Sequence, residues 1–235
     1  MKKILYTLVI ILFIAGFSGV CSADNDKDVS ADSYKYDYED IIIKKGNKSE
    51  KVVALTFDDG PNASSTPILL DGLKERKVRA TFFLIGENVE KDENEKIVKR
   101  MYEEGHLIGN HTYTHCNLSK LETGEAKKEL EQTDTVIEKI TGKQPVFVRA
   151  PYGELPVDSE QDLNRIYIGW TVDPLDWMTE DTGAVVKTVV EEINPGDVIL
   201  LHDCYKSSVE AALRIVDFLK AEGFEFVTVD KLILE

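Results

Sequence analysis

The sequence predicts a single α/β domain built on a parallel sheet. Strand-like and helix-like segments alternate from residue 41 to residue 235. The polar residues suited to chemistry, Asp58, Asp59, His111, Arg149, Asp173 and His202, each follow a strand-like run. In parallel α/β folds such residues meet at the carboxyl ends of the strands. Size agrees: 235 residues, 43% of them hydrophobic, fill one core rather than two.

Val52-Val53-Ala54-Leu55 is a continuous apolar run, the pattern of a buried strand, and Gly60-Pro61 stops it. Ile41-Ile42-Ile43 reads as a short strand able to pair beside it. Residues 66–76 carry Ile68, Leu69, Leu70 and Leu73 as a helix would, and residues 80–86 form a buried strand ended by Gly86. A helix over 94–104 places Ile97, Val98, Met101 and Tyr102 on one side, with Gly105 as its cap and a short strand at 107–109. The longest helix is expected over 123–140, with Thr123 as cap residue, an early Glu125 and Gly142 as its end. Strands follow at 146–149 and 167–172, a helix at 183–193 ended by Asn194-Pro195-Gly196, and a strand at 198–201. An amphipathic helix at 209–222 and a last strand at 224–229 complete the alternation.

The net charge of −15 argues against nucleic acid as a partner, because phosphate backbones demand Lys and Arg. Lys2 and Lys3 precede an apolar stretch from Ile4 to Phe17, and Ser22-Ala23 offers small residues for cleavage. Residues 1–23 are read first as a secretory signal peptide, which makes the chain extracellular and cell-wall associated. An uncleaved anchor that tethers it to the membrane and a lipoprotein site at Cys21 are the alternatives. Residues 24–40 read as an acidic linker, and the domain proper starts at residue 41.

Asp58 and Asp59 are adjacent carboxylates at a strand end, a composition that also suits an acidic turn. His111 and His115 stand four apart, which on a helical turn puts both within reach of one cation. Two His and one Asp, such as Asp59, with open positions suit Zn²⁺ or another divalent transition metal. Arg149 is either a solvated strand end or the partner that keeps a carboxylate ionised. Trp177 is either core or a wall for stacking sugar. His202 is either a core imidazole or, oriented by Asp173, a general acid. His106 is read as structural.

Five motifs in order resemble the polysaccharide deacetylases, carbohydrate esterase family 4. They are Thr56-Phe57-Asp58-Asp59-Gly60, His111-Thr112-Tyr113-Thr114-His115, Arg149-Ala150-Pro151-Tyr152, Asp173-Pro174-Leu175-Asp176-Trp177 and Leu200-Leu201-His202. The resemblance spans residues 40–235 and implies a distorted (β/α) barrel that hydrolyses acetyl groups on sugars with a divalent metal, Zn²⁺ first, Co²⁺ or Ni²⁺ otherwise. It implies Asp59, His111 and His115 as metal ligands, Asp58 as base paired with Arg149, and His202 as acid oriented by Asp173. It also implies the Tyr152 N–H as an oxyanion donor. Pro151, Tyr152, Trp177 and Leu200 are expected to meet the substrate.

Residues 153–167 are short for a strand-to-strand helix, so an incomplete barrel is expected, with only a couple of turns over 158–166. The expected substrate is an N-acetylated wall polysaccharide, peptidoglycan N-acetylglucosamine first, met by a monomer. Chitin oligomers, acetylated xylan and a binding protein without turnover are the alternatives. Cys116 and Cys204 are expected near the site rim as spectators, soft metal contacts or a redox pair, with a single bridge between them open.

Overall fold

The computed structural model describes residues 51–91, 93–156 and 164–234. The signal peptide, the acidic linker, the strand expected at Ile41-Ile42-Ile43 and most of the turns expected over 158–166 lie outside the described residues. The compact unit that holds the described residues runs Asp37–Glu235.

Among the described residues seven strands form one sheet: β1 (Val52–Gly60), β2 (Thr81–Leu84), β3 (Leu107–Asn110), β4 (Phe147–Val148), β5 (Ile166–Tyr167), β6 (Val198–His202) and β7 (Glu225–Val227). Their order is β5-β4-β3-β2-β1-β6, β7 also pairs with β1, and every pairing is parallel. The helices are α1 (Thr66–Glu75), α2 (Gly86–Val89), α3 (Asn94–Glu103), α4 (Thr123–Thr141), α5 (Thr182–Glu192), α6 (Lys206–Ala221) and α7 (Val229–Leu234). Two of them, α2 and α7, are too short to show helical periodicity and were not expected. Thr123 is the first residue of α4 rather than its cap; Glu122 precedes it without a capping side chain. Gly142 closes that helix in the left-handed conformation, as expected.

Side-chain alternation along β1 sorts the interior. Val53, Leu55 and Phe57 face outward into a core with Leu69 and Leu73 of α1 and Ile215 and Val216 of α6. Ala54 faces inward with Phe83, Phe147 and Val198, and Val229 and Leu232 of α7 plug that end of the barrel. Both faces are covered, which is why the strands read as unbroken apolar runs. Farther along β1 the inward residues turn polar: Thr56 and then Asp58.

The strand expected over 167–172 is instead a single segment that touches both edges of the sheet. Its start, β5, pairs with β4, and Val172 bridges to Ile199 on β6. Between them Ile168 and Gly169 give their carbonyls to the Arg149 side chain. The result is a partial barrel joined by one crossing segment, as the short 153–167 stretch foretold.

Asp203, just past β6, is fully buried and locks the site end of β1 to α1. Its carboxylate accepts from Thr66 Oγ1, its carbonyl accepts from Ser65 Oγ, and a Cβ on Gly60 would come within 2.5 Å of its Oδ1. Burial, followed by the charge of Asp59, raises its carboxyl from 3.8 to about 7 against the Thr66 hydrogen bond. A folded pKa above the unfolded one means folding favours the neutral acid. That contribution is whole below about pH 4 and is lost as the pH rises through about 7. Metal-free wild type should therefore lose about 1–3 kcal/mol relative to Asp203→Asn across that window. Parallel stability curves for the two proteins, measured by thermal unfolding, would exclude a neutral Asp203.

Candidate active site

The site is assembled at the carboxyl ends of β1, β3, β4 and β6. Asp58 stays on the inward face of β1. Arg149 Nη1 donates to its Oδ1 at 2.9 Å and to Thr56 Oγ1 at 2.7 Å. Thr56 Oγ1 in turn donates a hydrogen bond to the Ile199 carbonyl at 2.7 Å. Arg149 is 0% exposed, and its guanidinium lies 4.3 Å from the Phe83 ring centroid. The solvated alternative for Arg149 is excluded.

Simple alternation would send Asp59 to the opposite face. A bulge prevents that: Phe57 pairs with Phe82 and Gly60 with Leu84, so the register shifts between them, and Asp59 has φ 69°. This left-handed backbone costs an L-residue about 1–2 kcal/mol. Asn88 Nδ2 donates to the Asp59 carbonyl at 2.7 Å, and the Ile85 N–H to the Gly60 carbonyl at 3.1 Å, which hold the bulge. The bend thus falls at Asp59, one residue before the expected break at Gly60.

The two histidines do not lie on a helical turn. They flank a loop in which Thr112 (φ 64°) and His115 (φ 59°) are both left-handed. The reversal still brings the rings together, with centroids 5.0 Å apart. Asp59 Oδ1 lies 3.4 Å from His111 Nε2 and 3.2 Å from His115 Nε2. Asp58 Oδ2 is 3.8 Å from His111 Nε2.

The residues fit a metal. Asp59, His111 and His115 present one ligand atom each, all within 4.8 Å of one another. Asp59 Oδ1 is buried without a hydrogen-bond partner, an arrangement that a cation would satisfy. His111 Nδ1–H donates to the Arg149 carbonyl at 2.7 Å, which leaves the Nε2 lone pair facing Asp59. Burial raises the Asp59 carboxyl, yet the His111 contact and the fields of His115 and His202 bring it below its ordinary value. Burial lowers both ligand histidines; Asp58 and Asp59 lift His111 above its usual value, while His115 stays below.

Across the site stands His202, and here one expectation is corrected. Asp173 does not hold it: Asp173 Oδ1 accepts the Leu175 N–H at 2.9 Å and shapes the turn. Asp176 holds it on both sides, accepting the His202 N–H and the ring Nδ1–H at 2.8 Å each. The left-handed Leu175 (φ 54°) and the 3₁₀ turn Asp176–Met178 reverse the chain, so the second aspartate of the motif points back. Burial lowers the His202 pKa, but the Asp176 carboxylate, with Asp58 and Asp59 beyond it, raises it to about 9.

Trp177 is 51% exposed, so its core alternative falls away. Tyr152 is 65% exposed and faces His115 edge-on at 5.0 Å between centroids. Its φ is 63°, and the two turn hydrogen bonds around it come from the Gly153 and Glu154 amides rather than its own. Pro151 is buried, and Leu200, 4% exposed, shares the inward face of β6 with His202. His106 is structural as expected. It is buried, accepts the Ala80 N–H at Nδ1 and is pushed down to about 4 by burial. Cys116 and Cys204 are free thiols, which removes the bridge; burial raises them to about 11 and about 12.

Cavities of about 580 and 630 Å³ open elsewhere on the domain, and no residue of the site lines either. Fold and site together define a hydrolase-type centre at the mouth of a partial β/α barrel, with two imidazoles and a carboxylate set for a divalent cation.

The sequence matches the polysaccharide deacetylase family over residues 45–168. It is 42% identical to a peptidoglycan-N-acetylglucosamine deacetylase of Bacillus cereus, over 79% of this chain and 69% of that one. It is 40% identical to the peptidoglycan-N-acetylmuramic acid deacetylase PdaC of Bacillus subtilis, over 78% of this chain but only 39% of PdaC's own length. The structure of PdaC superposes with a TM-score of 0.75 at 39% identity, covering 79% of this chain and 91% of that one. The chain belongs to the polysaccharide deacetylase family, a family of metal-dependent hydrolases.

The sequence did not single out Asp176, Thr56 or Asn88. Thr56 was within reach, since it lies two residues before Asp58 and must share its face. Asp176 was one of two aspartates in a single motif, and spacing does not choose between them. Asn88 carries no local signal. The His202 imidazole should titrate at about 9 by NMR, and Asp176→Asn should lower that value by about two units. An unchanged titration would show that Asp176 does not set the charge of His202.

Proposed function

We propose that the protein is a secreted, metal-dependent polysaccharide deacetylase acting on cell-wall peptidoglycan, on its N-acetylglucosamine first. The observation that carries this reading is the unlike surroundings of two adjacent carboxylates. Asp59 sits between two imidazoles with an unpartnered oxygen, whereas Asp58 is tied to a buried guanidinium. Asp59, His111 and His115 would hold the ion, Zn²⁺ first, with Co²⁺ or Ni²⁺ as alternatives. When bound, such an ion polarises an acetyl carbonyl and acidifies water.

The side chains around it take the remaining roles. Asp58, paired with and aimed by Arg149, accepts a proton from the attacking water. The Tyr152 N–H donates to the carbonyl oxygen as that atom gains charge. His202, protonated and steered by Asp176, gives its Nε2 proton to the leaving nitrogen as the C–N bond breaks. Acetate and the sugar amine are the products. Asp173 has no part in the proton path and serves the turn that delivers Asp176. Trp177 and Tyr152 offer exposed aromatic faces to a sugar chain, over Pro151 and Leu200. Residues 1–23 supply the export step, and the domain acts as a monomer.

The B. subtilis relative is named for N-acetylmuramic acid, so both amino sugars belong in the test. Protein stripped by a chelator and reloaded with Zn²⁺ or Co²⁺ is expected to release acetate from peptidoglycan and from N-acetylglucosamine oligomers, and far less from acetylated xylan. Asp58→Asn should still bind the metal but lose about 10²–10⁴-fold in kcat. A folded chain that takes up no metal would remove the metal-centre reading. A loaded chain inert on every sugar would leave a carbohydrate-binding protein.

A further inference from the structure

We infer that Glu129 of α4 is a positioning residue for the metal centre: its carboxylate fixes the loop between His111 and His115 in the shape that aims both imidazoles at one ion. The inference rests on the metal-centre reading above. Glu129 touches neither histidine ring. It acts through the backbone that joins them.

The joining residues are Thr112, Tyr113 and Thr114. Left-handed residues at Thr112 and His115 deny this segment a helix or a strand ladder. Its amides and carbonyls therefore find partners elsewhere. The Thr112 N–H turns back onto Asn110 Oδ1 at 2.8 Å. The Thr112 and Tyr113 carbonyls accept the Gly86 and Glu87 N–H groups of α2, each at 3.0 Å. The two remaining amides both go to one oxygen. Tyr113 N–H and Thr114 N–H donate to Glu129 Oε2 at 3.0 and 2.8 Å. Thr114 Oγ1 lies 3.1 Å from each Glu129 oxygen.

The same helix fixes the other side of the first ligand. Asn110, the last residue of β3, donates through Nδ2 to the Leu130 carbonyl at 2.8 Å and to Asp134 Oδ1 at 2.6 Å. Asp134 is in turn held by Arg165 at 2.7 Å. One face of α4 therefore grips the residue before His111 and the residues before His115. Without Glu129 two amides lose their acceptor, and the left-handed backbone at His115 is free to relax toward ordinary angles. His115 is the ligand that would move, because it is 29% exposed, whereas His111 is pinned by the Arg149 carbonyl.

The test measures metal affinity rather than turnover. Zn²⁺ is titrated against a chromophoric chelator in wild type, Glu129→Ala and Glu129→Gln, with thermal unfolding of each metal-free protein alongside. Glu129→Ala should bind Zn²⁺ about 10–100-fold more weakly, the usual cost of losing an outer-shell partner. Glu129→Gln keeps an oxygen where Oε2 stands and should remain close to wild type. Should the Ala variant fail to fold, Glu129→Asp, one methylene too short to reach both amides, takes its place with the same expected loss. Wild-type affinity in the truncated variants would overturn the inference. So would a Gln variant as weak as Ala, since charge rather than acceptor geometry would then be the cause. A wild type that binds no Zn²⁺ sinks the metal-centre reading and this inference with it. A wild type that binds while every variant matches it sinks the inference alone.

Discussion

The Arg149 guanidinium is the contact on which the rest of the molecule turns. It sits in the barrel interior with no solvent exposure. There it spans β1, through Thr56 and Asp58, and the crossing segment, through the Ile168 and Gly169 carbonyls. A buried charge is tolerated only when its donors are met. Arg149 meets that condition by satisfying carbonyls where the strand ladder lapses. The joint that closes the barrel and the joint that aims the proposed general base are therefore one side chain. Its own carbonyl orients His111. Fold and site cannot be adjusted separately here.

Much of this was legible in the sequence because strand periodicity is a strong physical signal. The apolar run before Asp58, the run before His202 and the helices expected at 66–76, 94–104, 123–140 and 183–193 folded close to where their patterns put them. The polar ends of β1, β3, β4 and β6 converge because parallel strands leave them no other place. What stayed hidden depends on backbone geometry that side-chain pattern does not encode. Asp59 reaches the site through a bulge, and His111 and His115 meet across a loop with two left-handed residues. The spacing of four between them suggested a helical turn, which gives the same proximity by different means. Asp173 and Asp176 show the limit plainly: one motif offered two carboxylates, and a left-handed Leu175 decided between them.

The site also concentrates conformational strain. Asp59, Thr112, His115 and Tyr152 all have positive φ without being glycine. Each is a metal-ligand candidate, a link between two of them, or the proposed oxyanion donor. Such backbones persist only when their surroundings over-determine them. The surroundings do so through Asn88, Asn110 and the packed α2 and α4, none of which belongs to the five motifs. Loop chemistry at this centre thus depends on helices that contribute no reacting atom.

The pairing of β1 carries a consequence for how the chain acquires its structure. This strand is the first described element, yet its partners include some of the last. Ala54 pairs with Val198, Val52 pairs with Glu225, and α7 closes the barrel beneath them. Contacts between residues so distant in sequence slow folding, because the loop entropy must be met before the contacts return anything. The chain cannot complete its sheet until nearly all of it is available. An export route of the kind proposed for this chain would gain from that delay, because the sheet stays incomplete until the last strands arrive.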